Sequence, residues 1–135
     1  MLGLGLIGTG FMGKALALAY RAAPAVTGDG SDVRLEALCD VSAVRADAMA
    51  GQLGLARATE DWQDVAGDPA VDIVSVTQPN ALHHEMALAA IAARKHVHCE
   101  KPLALTMKEA EEIEAAARAA GTRAMVGYNY IHLHP

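Results

Sequence analysis

Six residues near the start of the chain, Gly8-Thr9-Gly10-Phe11-Met12-Gly13, constrain its fold more than any other segment. They stand between an apolar run, Leu2–Ile7, and an alanine-rich stretch of helical character over residues 14–21. Glycines at this spacing, between a strand and a helix, make a turn with three separate demands. The first glycine takes the tight turn, the second lets a ligand approach the backbone, and the third lets helix pack on strand. Free N–H groups and the positive dipole end at the start of that helix suit a pyrophosphate. Gly8, Thr9, Gly10, Phe11, Met12 and Gly13 are therefore candidate dinucleotide contacts. A purely structural glycine turn has the same spacing, so the rest of the chain must supply context.

That context is a regular alternation of strand and helix patterns. A second strand, Val33–Cys39, ends at Asp40, after a loop over residues 24–32 rich in Pro, Gly and Asp. Ser42 is an N-cap for a helix running to Leu53, with Gly54 as its stop. A short strand over 55–58 precedes a short helix, capped by Thr59 and running to Ala66, and a turn at Gly67-Asp68-Pro69. Residues 71–76 read as a buried strand, Asn80 as the cap of a helix over 81–93, and residues 95–99 as the next strand. Thr106 and Glu109 form a capping box for a helix ending at Gly121, with Ala110, Ile113 and Ala117 on one face. A last strand begins at Ala124. Strands separated by helices predict an α/β fold, a doubly wound parallel sheet of the Rossmann type with helices on both faces.

Composition narrows the function. Hydrophobic residues make up 53% of the chain and aromatic ones 4%, so the core is built from Ala, Val, Leu and Ile. The net charge is −5 with no basic stripe, which excludes nucleic acid as the main partner. The apolar start lacks a positive charge and Lys14 interrupts it, unlike a secretory signal. No apolar run approaches the ~18 residues of a membrane span, so no membrane partner is expected. Cys39 and Cys99 close strands that are not neighbours in the usual doubly wound order, which predicts two reduced thiols and a cytoplasmic protein. The six histidines, His96 and His98 on one strand and His132 and His134 near the end among them, complete no known ligand spacing, so no metal is expected.

In such a sheet, ligands bind beyond the carboxyl ends of the strands, where the strand order switches. Four segments should meet there: the glycine turn, Asp40, Thr77-Gln78-Pro79-Asn80 and Glu100-Lys101-Pro102. Asp40 is placed to accept hydrogen bonds from the adenosine ribose hydroxyls and would repel a 2′-phosphate, which favours NAD over NADP. It stands 27 positions beyond Gly13, and the 24–32 loop accounts for the excess over the usual spacing of about 20. Each acid or base here has a plainer reading, as a solvated aspartate or a surface ion pair before a turn. Lys101 carries the sharper one: at the lip of a nicotinamide pocket, it can hydrogen-bond a substrate hydroxyl and stabilise charge as hydride leaves carbon.

At this point the chain resembles the glucose–fructose oxidoreductase / inositol dehydrogenase family, also called Gfo/Idh/MocA. The matching runs are Gly-Leu-Ile-Gly-Thr-Gly-Phe-Met-Gly (5–13), Cys-Asp-Val-Ser (39–42), Gln-Pro-Asn-Ala-Leu-His (78–83), Lys-His-Val-His-Cys-Glu-Lys-Pro-Leu-Ala (95–104) and Val-Gly-Tyr-Asn-Tyr (126–130). The resemblance implies an NAD(P)-dependent oxidoreductase acting on a sugar, cyclitol or related polyol. Lys101 matches the substrate-facing lysine, Glu100 its neighbour beside the nicotinamide, Asn80 and His83 the loop residues near the cofactor, and Asp40 the ribose acid. It further implies a division into a dinucleotide-binding domain, 1–127, and the start of a substrate domain, 128–135. A mostly antiparallel second domain would follow, with an Asp and a His of the active site and the interface of a homo-oligomer. Only the start of that domain, 128–135, is expected within these 135 residues. The family usually has glycine where this chain has Arg94, a residue strained if its backbone is left-handed.

Two other classes compete. A cofactor-binding module without catalysis would bind NAD and turn over no polyol. A methyltransferase also uses a glycine turn and a ribose acid, but would bind S-adenosylmethionine in place of NAD and has no use for Glu-Lys-Pro.

Overall fold

The structure, a computed structural model, describes residues 1–28 and 32–128. His132 and His134, and the run 129–135 expected to open a second domain, lie outside the described residues. Six strands form one sheet: β1 (Leu2–Ile7), β2 (Val33–Cys39), β3 (Arg57–Thr59), β4 (Ile73–Val76), β5 (His96–Cys99) and β6 (Ala124–Val126). Their order is β3-β2-β1-β4-β5-β6, and every neighbouring pair is parallel. The order reverses direction between β1 and β4, the switch point of a doubly wound sheet.

Among the described residues five α-helices cover the two faces: α1 (Phe11–Thr27), α2 (Ala43–Leu53), α3 (Trp62–Gly67), α4 (His83–Ala92) and α5 (Met107–Ala120). Alternation along the strands sorts the core in two. Leu6 and Leu38 pack with Ala17 of α1 and with Ala46, Ala50 and Leu53 of α2. Ile7, Ala37, Val74, Val76, Val97 and Cys99 face the other way, onto Val65 of α3, Met86 and Ile91 of α4, and Ile113 of α5. Small side chains dominate both layers, as the scarcity of aromatics predicts. Cys39 and Cys99 are both buried and free, on strands separated by β1 and β4.

Ser42 accepts from the backbone N–H of Arg45 to start α2, and Gly54 stops it. The capping box at Thr106 and Glu109 is complete. Three expectations are corrected. α1 starts at Phe11 and runs through Pro24 to Thr27, where a loop was expected. The alanines around Pro24 favour helix, and the cost of Pro24 is confined to the one bond its nitrogen would have donated to the carbonyl four residues back. Thr59 ends β3 and does not cap α3. Asp61 caps α3 by accepting from the Gln63 N–H, while the Thr59 hydroxyl accepts from Asp61 N and donates to Asp64. Asn80 opens a single 3₁₀ turn, Asn80–Leu82, with no side-chain cap, and α4 begins only at His83. The strand expected over 71–76 pairs from Ile73, and the one over 95–99 from His96.

Candidate functional site

The first strand delivers the chain into the glycine turn with Gly8 at φ 102°, a conformation that side chains rarely take. Gly8 N donates to the Cys39 carbonyl at 2.9 Å, tying the turn to β2. On the other side the Thr77 hydroxyl, just past β4, lies 3.0 Å from the Ile7 carbonyl and 2.9 Å from that of Gly8. A Cβ on Gly13 would stand 2.1 Å from the Gly8 carbonyl oxygen. Only glycine lets α1 come that close to the turn.

A cofactor fit is tested at Gly10. It starts α1 in extended backbone, makes no side-chain cap, and a Cβ there would meet nothing within 4 Å. Open space thus lies beside the start of a long helix, whose first N–H groups have no partner within the helix and no side-chain cap from Gly10, as a bound pyrophosphate requires. Phe11 is exposed, Met12 half-buried, and Gly10 exposed. An open crevice of about 490 Å³ lies between the glycine turn, Asp40 and the Thr77-Gln78-Pro79 turn, within the size range of small-molecule sites.

Asp40 is 5% exposed at this crevice. Its Oδ1 accepts from the Val41 N–H at 2.6 Å, and its Oδ2 from the Thr9 hydroxyl and from Arg45 Nε at 3.2 Å. A carboxylate offers about four lone-pair positions, so roughly one remains for a ribose hydroxyl unless Thr9 or Arg45 gives way. Arg45 also lies 3.4 Å from Thr9 Oγ1. Its importance was missed in the sequence, although its place three residues after the Ser42 cap turns it back towards Asp40. Thr9, 1% exposed, spends its hydroxyl on Asp40, and Thr77 spends its own on β1. Their side chains shape the turn and leave only backbone for a ligand.

Beyond β4, Gln78 is half-buried while Pro79 and Asn80 are exposed. Beyond β5, Glu100 is buried, with Oε2 accepting from the Lys101 N–H at 3.2 Å and Oε1 without a partner among the described residues. Lys101 is exposed, and the Lys101–Pro102 peptide is cis. These residues reach the same end of the sheet as the glycine turn because all the strands run parallel. His83 departs from expectation. It is fully buried, and its Nδ1 and Nε2 each lie 2.7 Å from a backbone carbonyl, those of Pro102 and Gln78. Both partners are acceptors, so a neutral ring donates to one carbonyl and only a ring with hydrogen on both nitrogens donates to both; either way, both nitrogens face backbone within the protein. Among the described residues no group of three or more His, Cys, Asp or Glu could hold a metal ion.

A glycine turn at the switch point, an open helix start above it and an acid at the end of β2 define a dinucleotide-binding Rossmann domain. The chain belongs to the Gfo/Idh/MocA oxidoreductase family with its NAD-binding Rossmann fold, which residues 2–128 match. It is 38% identical over 130 residues to levoglucosan dehydrogenase of Pseudarthrobacter phenanthrenivorans, covering 96% of this chain and 33% of that protein. It is 35% identical over 127 residues to inositol 2-dehydrogenase/D-chiro-inositol 3-dehydrogenase of Lactiplantibacillus plantarum, covering 93% of this chain and 35% of that one. Among solved structures, an NAD binding oxidoreductase from Klebsiella pneumoniae superposes with a TM-score of 0.92 at 49% identity, covering 96% of this chain and 35% of that one. Levoglucosan dehydrogenase in complex with NADH and levoglucosan gives 0.91 at 38% identity, covering 96% and 35%. The chain spans about a third of the length of these relatives.

Proposed function

We propose that this chain binds NAD and serves an oxidoreductase that moves hydride between the nicotinamide and a carbinol carbon of a sugar, cyclitol or related polyol. The observation that carries the reading is the open start of α1 above the Gly8 turn, with Asp40 buried at the same crevice. The relatives named for levoglucosan and inositol supply the substrate class. Bound NAD would supply the hydride acceptor. The glycine turn and the first N–H groups of α1 would hold its pyrophosphate. Asp40, held by Thr9 and Arg45, would meet the adenosine ribose and disfavour a 2′-phosphate, so NADP is the poorer ligand. Thr77, Gln78, Pro79 and Asn80 would line the path from pyrophosphate to nicotinamide. Lys101 is the candidate catalytic residue. Its exposed ammonium would hydrogen-bond the reacting hydroxyl and stabilise the charge that develops as hydride departs. Glu100 would orient the Lys101 backbone through the N–H it already accepts.

The boundary between cofactor and substrate domains is placed at 127/128, one residue past the end of β6. Two free buried thiols suit the reducing cytoplasm. No helix among the described residues is long and apolar enough to cross a membrane. A homo-oligomer is the expected state of a full-length form.

Calorimetric titration of the 135-residue chain with NADH and NADPH tests the core of this reading. NADH should bind at least about tenfold tighter, and Asp40→Ala should erase that preference, since hydrogen bonds to a charged group are worth about 1.5–3 kcal/mol. Equal affinities in the unaltered chain would remove Asp40 from its role. Binding of neither would remove the cofactor reading.

A further inference from the structure

We propose that His83 is a positioning residue that fixes the nicotinamide end of the crevice by clamping two strand-end turns together. This rests on the NAD-binding reading and adds a residue that acts without touching the ligand. The Gln78 carbonyl belongs to the turn after β4 and the Pro102 carbonyl to the turn after β5, and the fully buried imidazole lies 2.7 Å from each. Within the described residues these are the two turns that lie on the β4 side of the switch point. Asp40 sits on the β2 side, so a dinucleotide laid across the switch point puts its adenosine towards β2 and its nicotinamide towards β4 and β5.

The clamp is placed to matter. Among the described residues neither carbonyl accepts another backbone hydrogen bond outside the regular elements, whereas the strand ends beside them are tied in the ordinary way, Thr77 N to Ile7 O and Glu100 N to Val76 O. The ladder therefore ends at Thr77 and Glu100. Beyond that point the ring, which α4 holds from its first residue, is the polar group in contact with both turns, while Leu103 and Ala104 after β5 pack onto the core. Pro102 directly follows Lys101, and Gln78 directly precedes Pro79. Loss of the ring would let the spacing between the turns change while leaving the glycine turn, fixed by Cys39 and Thr77, as it is.

The test separates the two ends of the ligand. NADH and ADP-ribose share the adenosine and pyrophosphate, and only NADH carries nicotinamide. Both are titrated into the unaltered 135-residue chain, into His83→Phe, which keeps a ring and loses both polar contacts, and into His83→Gln, whose amide can still donate to one carbonyl. Thermal melting is followed in parallel. The unaltered chain should bind NADH more tightly than ADP-ribose. His83→Phe should weaken NADH about tenfold, the order of an unpaired buried carbonyl, with ADP-ribose within about twofold. His83→Gln should recover part of the loss. A general loosening of the fold would weaken both ligands together, and that result, or an unchanged ratio, overturns the clamp. If His83→Phe does not fold, the ratio in His83→Gln decides alone. An unaltered chain with equal affinity for both ligands overturns the clamp and leaves the cofactor reading standing, whereas one that binds neither ends both.

Discussion

Arg94 holds its backbone at φ 63° where the chain leaves α4 for β5. A side chain in that region costs roughly 1–2 kcal/mol, which is why glycine is the usual occupant of such a helix stop. The compensation lies at the other end of the side chain, where Arg94 Nη1 donates to the Ala120 carbonyl at 2.6 Å and caps the last turn of α5. Arg94→Ala keeps the strain and loses the cap. Arg94→Gly loses the cap but relieves the strain. The alanine variant should therefore be less stable than the glycine variant by about 1 kcal/mol, read as the difference in urea midpoints. The possible strain at this position could be read from the sequence; the cap on a helix 26 residues away could not. Thr9, Thr77, Arg45 and His83 teach the same lesson. Their types and positions were visible, but their partners are set by tertiary approach, and at His83 both ring nitrogens lie against backbone carbonyls.

Elements with their own end signals were the most legible. The Ser42 and Gly54 bounds of α2 and the Thr106, Glu109 and Gly121 bounds of α5 are local chemistry, and the structure keeps all of them. Where the ends depend on something distant, the reading slipped. Pro24 looked like a breaker, yet helix propensity carried α1 one turn past it. Asn80 looked like a cap, yet the turn between β4 and α4 tightened into a 3₁₀ turn before His83 entered its buried position. For α5 the local account makes a clean prediction. Thr106 accepts from the Glu109 N–H at 3.2 Å while Glu109 accepts from the Thr106 N–H. Thr106→Ala should cost about 1 kcal/mol and Thr106→Ser little, measured by thermal unfolding.

At the scale of the whole molecule, alternation of strands and helices was enough to give the doubly wound parallel sheet, because few topologies satisfy right-handed crossovers with short connections. The same interior makes stability depend on alkaline pH. Burial, reinforced by the carboxylate of Glu100, pushes the Cys99 thiol up to about 12. Burial, then Asp40, pushes Cys39 up to about 11, against an ordinary 9.0. Both thiols stay protonated in the folded chain at a pH where the unfolded chain ionises them. Their contribution is complete below pH 9.0 and is lost as pH rises through the folded values. Urea midpoints should fall above about pH 9, and replacing both cysteines with alanine should flatten that fall while lowering the plateau. The placing of β1 between β2 and β4 also has a consequence in time. A ribosome releases β1 before β4, but the Thr77 hydroxyl that fixes its outgoing turn reaches back 70 positions to Ile7. Until that stretch has emerged, one edge of β1 is bare and the Gly8 turn lacks its second anchor. β1 and its turn thus take their final shape only after β4 has emerged, and a cofactor has no finished cradle to enter before then.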